Sequence, residues 1–466
     1  MNTLFSKSTL ATAALVAAVA LPVLAQAPAK EAPPAPAPAR NFSVPAPKTF
    51  TLPNGLLVTL VNYGNTPKVD IMLSVAAGNA YESASEVWLG DLTGLLLREG
   101  TTTKTGPAIS KAAAQMGGQV SVNVGADTAT VSGQALSDFA SDLAKLVADI
   151  AMNPSFPAAE LDRLKADNVR RLSLAKSSPQ QMATAKFREV LYGDHSYGRI
   201  FPTEEQLKGY TLAQAKAFYE THWAASRSRL YVAGRFDVAA VESAIRAAFG
   251  SWKQGAMSRP AAPKPQSTRA VHIVDKPAAV QTTLIVGLPT IDPSNPDAIA
   301  LSVMNNVLGG YFSSRMTSNL RESKGYTYSP FSQISQRYRD AFWAQNADVT
   351  TAVTGASLKE IFLEIDRLQA EPPTEAELDS AKNYMLGNFV LRNSDRFGII
   401  GQLEAINFHG LPADYLNTYV SKVRAVTPAM VQQMMQKYLD DTKMTIVAVG
   451  DRKVIEEQVK PYGVIR

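Results

Sequence analysis

The sequence contains no cysteine and only four histidines among its 466 residues. The absence of cysteine excludes a disulfide framework, a lipid-modified cysteine, a thiol nucleophile and any cysteine-ligated metal. The histidines are far apart in the sequence and none forms an HxxxH pair, so we expect each to be a structural residue that is at the surface or partly buried. They are His195, His222, His272 and His409.

Charge of one sign and long apolar runs are also scarce. The formal net charge is only +5, and the lysines and arginines are scattered rather than clustered. This argues against a nucleic-acid partner. No segment beyond the N-terminal region is long and apolar enough to span a bilayer. A 46% apolar fraction is ample for a packed interior, and the chain is longer than one core usually supports, so we expect two domains.

Residues 1–27 have the pattern of a secretory signal peptide. Lys7 supplies the positive start, residues 9–21 form a short apolar core that Pro22 ends, and small residues around position 25 offer cleavage sites. A membrane anchor is the alternative, but the apolar run is short for a span. Residues 28–47, rich in Pro and Ala, are typical of an extended tether. We therefore expect a periplasmic protein with no membrane span after cleavage, with secretion beyond the outer membrane as the alternative.

Two short sequences recur at almost the same offset. Ala-Glu-Leu-Asp at 159–162 returns at 376–379, and Tyr-Val-Ala-Gly at 231–234 returns as Val-Ala-Val-Gly at 447–450. Matches that keep their order and spacing indicate a duplicated domain. We expect the first copy at 48–252 and the second at 269–466. A linker rich in Pro, Ala and Lys would join them at 253–268.

In each copy the pattern predicts the same order of elements, namely strands, a helix, further strands, a helical stretch, and a last strand and helix. In the first copy, apolar residues at helical spacing mark 86–98, and 119–132 alternates as a strand does. The second copy opens with a strand at 282–288. This order predicts an α+β fold of two duplicated domains, each an antiparallel sheet covered by helices on one face.

Three segments, at 78–101, 117–130 and 308–328, resemble the M16 peptidase family of pitrilysin, insulinase and processing-peptidase type. The resemblance extends over nearly all of the chain after the tether. It implies a clamshell of two domains that closes around a peptide. In zinc-bearing relatives the first segment contains His-x-x-Glu-His followed by Gly-Thr. There the two histidines bind zinc, and the glutamate activates the metal-bound water.

The zinc-binding residues of those relatives are replaced in this chain. Alignment on the Gly-Thr pair at 100–101 places Asp91, Gly94 and Leu95 at the motif positions, and the family's third ligand falls at Arg171. Leu95 has no lone pair, Gly94 offers no base, and a guanidinium repels a cation. We expect no metal on this chain. Asp91 and Arg171 either form an ion pair where the metal would lie or both reach solvent.

The C-terminal segment, in contrast, keeps the family pattern. Gly309 and Gly310 match a glycine loop that helps to bind substrate, and Arg321 and Tyr328 match an arginine and a tyrosine seven residues apart. In relatives these two contact the peptide and stabilise the oxyanion at the zinc of the opposite domain. The alternative is structural, because an arginine in a last helical turn complements the helix dipole. We expect a strand to begin at 326–328.

The substrate-binding strand of the first domain is less well kept. Relatives often contain the sequence Gly-x-x-x-Asn-Ala in an edge strand, and this strand pairs with the peptide backbone. Here the glycines at 117–118 remain, but Ser121 and Val122 replace the Asn-Ala pair. The resemblance assigns Ser121 and Val122 to substrate binding, although the altered pair weakens that assignment.

Loss of the zinc residues on one side only suggests shared catalysis. The leading hypothesis is a non-zinc subunit that is inactive alone. It would form a heterodimer with a zinc-bearing M16 paralogue and supply Arg321 and Tyr328 to peptide hydrolysis there. The alternative is a non-catalytic peptide-binding or scaffold protein of the same fold. A lone hydrolase with a different centre has no supporting motif such as G-x-S-x-G.

Overall fold

The computed structural model of the protein describes residues 44–466. The expected signal peptide and most of the tether lie outside the described residues and stay predictions. The described part contains two six-stranded sheets, one in each half of the chain. None of its helices combines the length and apolar character needed to cross a membrane.

The first half forms a mixed sheet with helices. Its strands are β1 (Lys48–Thr51), β2 (Leu57–Asn62), β3 (Lys68–Val75), β4 (Gln119–Val124), β5 (Ala129–Leu136) and β6 (Ser228–Gly234). Its helices are α1 (Leu89–Glu99), α2 (Gly106–Gln115), α3 (Ala140–Met152), α4 (Ala158–Ser177), α5 (Pro179–Tyr192), α6 (Glu204–Gly209), α7 (Leu212–His222) and α8 (Val238–Phe249). The strand order is β1-β2-β6-β3-β5-β4, so β4 is one edge.

The second half repeats this plan. Its strands are β7 (Ala270–Asp275), β8 (Gln281–Thr290), β9 (Phe331–Arg337), β10 (Asp340–Thr350), β11 (Thr445–Gly450) and β12 (Val464–Ile465). Its helices are α9 (Ala298–Asn305), α10 (Arg315–Thr317), α11 (Thr354–Ala370), α12 (Glu375–Asn393), α13 (Arg396–His409), α14 (Tyr415–Ala425), α15 (Pro428–Tyr438) and α16 (Arg452–Val459). The strand order is β12-β7-β11-β8-β10-β9. Wider π-helical turns continue α9 through Asn306–Gly310 and α10 through Ser318–Ser323.

The α+β fold is confirmed, and the repeated segments fall on equivalent elements. The Ala-Glu-Leu-Asp segments lie at the starts of α4 and α12, and the glycine-ended segments close β6 and β11. The sheets are mixed rather than purely antiparallel, because β6 runs parallel to β2 and β11 runs parallel to β7. A long helical connection before β6 and β11 allows this parallel pairing. The stretch expected to be one strand at 119–132 is a hairpin of β4 and β5.

Each sheet has helices on both faces, not on one face as the sequence predicted. One face carries the helices of its own half, and the other face carries a helix from the opposite half. Phe187 of α5 packs with Ile285 and Phe342 of the second sheet, and the two phenylalanine rings lie 5.3 Å apart. Ile400 of α13 packs with Met72 of the first sheet. The two halves therefore exchange helices and share their packing.

Local sequence explains where the exchanged helices begin. The Ser178 side chain accepts the backbone N–H of Gln181, and Pro179 occupies the first position of α5. The side chain of Asp395 caps α13 in the same way by accepting the N–H of Gly398. Such caps end one helix and start the next in a new direction. This is how α5 and α13 leave their own half to reach the opposite sheet.

The segment expected to be the linker, 253–268, contains neither helix nor strand before β7. The guanidinium of buried Arg227 anchors its first part by donating to the Ala256 carbonyl at 3.2 Å and to the Ser258 hydroxyl at 2.8 Å. The same guanidinium donates to the Ala76 carbonyl at 2.7 Å. The connection is therefore bound to the first sheet.

Candidate functional site

Helix α1 carries the positions at which the family's zinc motif would lie. Leu89, Leu92 and Leu96 are fully buried and fix α1 against the core of the first half. Trp88 precedes the helix and has a left-handed backbone with φ of 69°. A bulky residue rarely adopts this conformation, because its Cβ is crowded there. The start of α1 is thus a locally strained point of the backbone.

Asp91 and Arg171 form an ion pair, as one of the two hypotheses from the sequence held. An Nη2 donor of Arg171 lies 2.7 Å from Oδ1 of Asp91. The other oxygen of Asp91 accepts the side-chain amide of Asn79 at 2.7 Å. The Arg171 guanidinium also stacks on the Trp88 ring, with its carbon 3.7 Å from the ring centroid. A cation of the protein therefore lies beside the carboxylate that could have been a metal ligand.

The other two motif positions cannot take part in zinc chemistry. A Cβ placed on Gly94 would lie 2.7 Å from a methyl of Val124 on β4. The space for a glutamate at this position is therefore filled by the neighbouring strand. Leu95 is partly buried and packs against the core. With Asp91 already paired, these residues do not fit a zinc ion, and within residues 44–466 no cluster of three or more His, Cys, Asp or Glu side chains could hold a metal.

Glu82 supports this site, although the sequence analysis did not single it out. It is buried, and its carboxylate accepts the backbone N–H groups of Trp88 at 3.0 Å and Gly90 at 2.8 Å. Burial raises the pKa of Glu82 to about 8, while hydrogen bonds to the carboxylate, first that from Asn79, act in the opposite direction. An acidic residue shortly before a helix was the available sequence signal, since carboxylates favour helix N-termini.

The predicted peptide-binding residues Ser121 and Val122 lie on β4, which is the edge of the first sheet. Val122 is buried and points towards α1, where it lies near Gly94. Ser121 points to the other side of the strand and accepts a hydrogen bond from Asn123 at 3.3 Å. The strand therefore has one backbone edge without a neighbouring strand among the described residues. Its binding role stays a prediction.

Arg321 and Tyr328 lie together at the surface of the second half. The guanidinium carbon of Arg321 is 4.5 Å from the ring centroid of Tyr328 and 4.6 Å from that of Phe312. The two aromatic side chains are 77% and 61% exposed, respectively. Phe312 is thus a member of the cluster that the sequence analysis did not assign to the site. Tyr328 precedes β9, and only Thr327 of the expected strand at 326–328 makes an isolated pairing, with Val349.

The two glycines predicted to bind substrate differ in their surroundings. Gly309 is buried, and a Cβ there would lie 2.6 Å from the Ser332 hydroxyl oxygen and 2.9 Å from the side-chain oxygen of Gln345. Close packing beneath β9 thus accounts for this glycine, and its position is not open to a ligand in this structure. Gly310 is only partly buried. Substrate contact stays a prediction for Gly310.

The histidines are separate from both clusters. His222 lies against the rings of Phe218 and Tyr81, with centroids 4.5 and 5.4 Å away. Burial lowers the pKa of His222 to about 4. Burial also lowers the pKa of His272 and of His409. Neutral imidazoles that are buried, as His272 is, or partly buried, as His222 and His409 are, fit the structural role expected from the sequence.

The fold and the altered site together define a class, namely a duplicated α+β chain of peptidase architecture in which other residues occupy the usual zinc positions. Family models agree with this class. The model described as insulinase, peptidase family M16, matches residues 57–201, and the model described as peptidase M16 inactive domain matches residues 209–385. The chain belongs to the M16 family, as an M16-like member with altered metal positions.

The proteins similar to this chain include some named as proteases and one named as a non-peptidase. The chain is 25% identical over 346 residues to "Uncharacterized zinc protease YmxG" of Bacillus subtilis, spanning 74% of this chain and 84% of the relative. It is 19% identical over 388 residues to "Non-peptidase homolog YmxG" of Helicobacter pylori, spanning 82% and 89%. A crystal structure of a peptidase M16 inactive domain from Pseudomonas fluorescens superposes with a TM-score of 0.81 at 27% identity, spanning 87% of this chain and 98% of the other.

Proposed function

We propose that this protein is the non-zinc subunit of a periplasmic M16-type peptidase and acts with a zinc-bearing paralogous chain. The observation that carries the proposal is the exposed cluster of Arg321 and Tyr328 in a chain whose own motif positions do not fit zinc. Peptide hydrolysis would take place at the partner's zinc. Arg321 would bind the peptide backbone, and the Tyr328 hydroxyl would donate to the oxyanion that develops there.

The geometry of the cluster supports this role. Phe312 and Tyr328 flank the Arg321 guanidinium, which restricts its motion through two cation–π contacts. A guanidinium held this way loses less freedom when it binds a peptide carbonyl. The large exposed area of Tyr328 leaves its phenol accessible to a second chain. The cluster has the form of a recognition group, since exposed aromatic and arginine side chains are enriched among binding hot spots.

The test is co-expression with the zinc-bearing paralogue, followed by a peptide-cleavage assay of the purified complex. Tyr328→Phe should lower kcat/KM by roughly 100-fold, the size usual for loss of one oxyanion donor, and Arg321→Ala should lower it by a similar factor because the contact with the peptide backbone is lost. Lys437→Ala is the matched control, because Lys437 forms a similar contact on α15 with the Tyr438 ring at 4.9 Å. Full activity in both site variants would refute the proposal, as would equal activity of the paralogue alone.

A second candidate is a non-catalytic protein of the same fold that binds a peptide or holds a complex together. The observation that favours it is the ion pair of Asp91 and Arg171, which gives the former metal position a structured replacement. The "Non-peptidase homolog" name of the Helicobacter pylori relative is consistent with such a role. Capture from the native periplasm with zinc analysis separates the two, because only the subunit model requires a zinc-bearing partner chain.

A further inference from the structure

The position of the lost zinc contains an arginine with unused donors. Arg171 donates one hydrogen bond, from Nη2 to Asp91. Its Nε and Nη1 have no partner within residues 44–466, and 46% of the side chain is exposed. A guanidinium offers five N–H donors in a planar fork that matches a carboxylate. The ion pair with Asp91 therefore leaves capacity for a second acceptor.

The surroundings hold this guanidinium in one orientation. The Trp88 ring lies beneath it at 3.7 Å, and Asp91 fixes one of its ends. Trp88 is itself fixed, since Glu82 accepts its backbone N–H and the Ile200 carbonyl accepts its indole N–H at 3.0 Å. The left-handed backbone of Trp88 is costly and persists only where neighbours enforce it.

An open strand edge leads to this arginine. Val124, the last residue of β4, packs at Gly94, and Asp91 lies one helical turn before Gly94 on α1. The outer edge of β4 has no strand beside it in the described part of the chain. A groove of about 270 Å³ lies near the other end of the strand and is lined by Val120 and Ile109 among others. An extended peptide along β4 would thus run from this groove towards Arg171.

We propose that the former zinc position is a receptor for the C-terminal carboxylate of an extended peptide. The backbone of the peptide would pair with β4, and its terminal carboxylate would receive the free Nε and Nη1 donors of Arg171. The Trp88 ring and Leu174, which is 66% exposed and one turn beyond Arg171 on α4, would favour an apolar terminal side chain. The ligand class is therefore a peptide with a free carboxyl end, as a peptidase releases. This binding belongs to the isolated chain and needs no partner.

The experiment compares two labelled pentapeptides, each with four alanines and a terminal leucine, by fluorescence polarisation with the isolated protein. One peptide has a free carboxylate and the other a C-terminal amide. The free acid should bind at least roughly tenfold more tightly, because charge-assisted paired hydrogen bonds are lost with the amide. Arg171→Gln should abolish this preference. Arg170→Gln is the control, since Arg170 is the adjacent exposed arginine on the same helix.

Equal affinity for the two peptides would overturn the proposal, as would binding of neither or a preference that survives Arg171→Gln. Thermal melting checks that the variants are folded. If Arg171→Gln does not fold, Arg171→Lys is used, which keeps the charge but not the fork. A full preference in Arg171→Lys would contradict recognition by paired donors. These results do not depend on Arg321 or Tyr328, so failure here is distinguishable from failure of the proposed subunit role.

Discussion

Removing the guanidinium of Arg171 should destabilise the first half through two separate losses. The ion pair with Asp91 is half-buried, with side-chain exposures of 46% and 13%. The contribution of a half-buried ion pair to stability lies between two limits. Exposed ion pairs contribute about 0.2–1 kcal/mol, and breaking a buried pair costs about 3–5 kcal/mol. The Trp88 stack adds about 0.5–1 kcal/mol. We therefore expect Arg171→Ala to lower the free energy of unfolding by about 2 kcal/mol.

A double-mutant cycle isolates the pair from the stack. Urea unfolding of Asp91→Ala, Arg171→Ala and the double variant should give a coupling free energy of about 1 kcal/mol. The coupling should shrink in high salt, because solvent ions screen the exposed side of the pair. Arg170→Ala, which removes an exposed arginine from the same helix, should cost less than about 0.5 kcal/mol.

A coupling free energy below about 0.3 kcal/mol would refute this reasoning, because additive effects mean independent side chains. The two residues would then not replace the metal as a coupled unit. A coupling that does not depend on salt would instead show that the pair is more deeply buried than its exposure indicates. In both cases the measurement needs only the chain itself, since no partner or ligand enters the cycle.

Three further predictions concern packing, backbone and pH. Phe187→Ala empties a fully buried position between α5 and the second sheet, so it should lower the free energy of unfolding in urea by about 3–5 kcal/mol. A decrease of less than about 1 kcal/mol would contradict the helix exchange. Gly118→Ala would place a Cβ within 1.8 Å of the Gln134 carbonyl oxygen and should abolish soluble expression. Gly387→Ala on helix α12 is the control, because a Cβ added there has no neighbouring atom within 4 Å, and it should leave the melting temperature equal or higher. The pKa of Glu82 in the folded state is raised from 4.5 to about 8, so the native state binds this proton more tightly than the unfolded chain does. The stability that this group contributes should therefore fall as pH rises from about 4.5 to about 8. Glu82→Gln should flatten the dependence of melting temperature on pH in that range, and an unchanged slope would show that another group causes it.

Sequence patterns predicted the elements and the duplication because these depend on local periodicity. The offset between the Ala-Glu-Leu-Asp segments reflects equivalent starts of α4 and α12. The resemblance to the M16 family placed Arg171 at the third ligand position, and the ion pair with Asp91 was one of the two arrangements that this placement left open. Spacing along a chain is sufficient to predict helices and strands, since these elements have fixed periods.

The parts that sequence could not predict depend on contacts between distant segments. The apolar face of α5, which includes Phe187, indicates burial but not which sheet it covers. The parallel pairing of β6 with β2 likewise depends on the path of the intervening helices. Trp88, with its left-handed backbone, is held by hydrogen bonds to Glu82 and Ile200, and no local motif encodes this arrangement. Long-range packing therefore decided the features that matter most at the altered site.

The exchange of α5 and α13 has a consequence for synthesis of the protein. When the first half leaves the ribosome, the apolar face of α5 has no sheet to cover, because β8 and β10 follow roughly 100 residues later or more. The first sheet in turn waits for α13 to cover its outer face. Domains usually fold in order during translation, but this first domain cannot bury its surface alone. The nascent chain therefore exposes an apolar surface until most of the second half has been synthesised. We expect a chaperone that binds apolar segments to bind the chain during that interval.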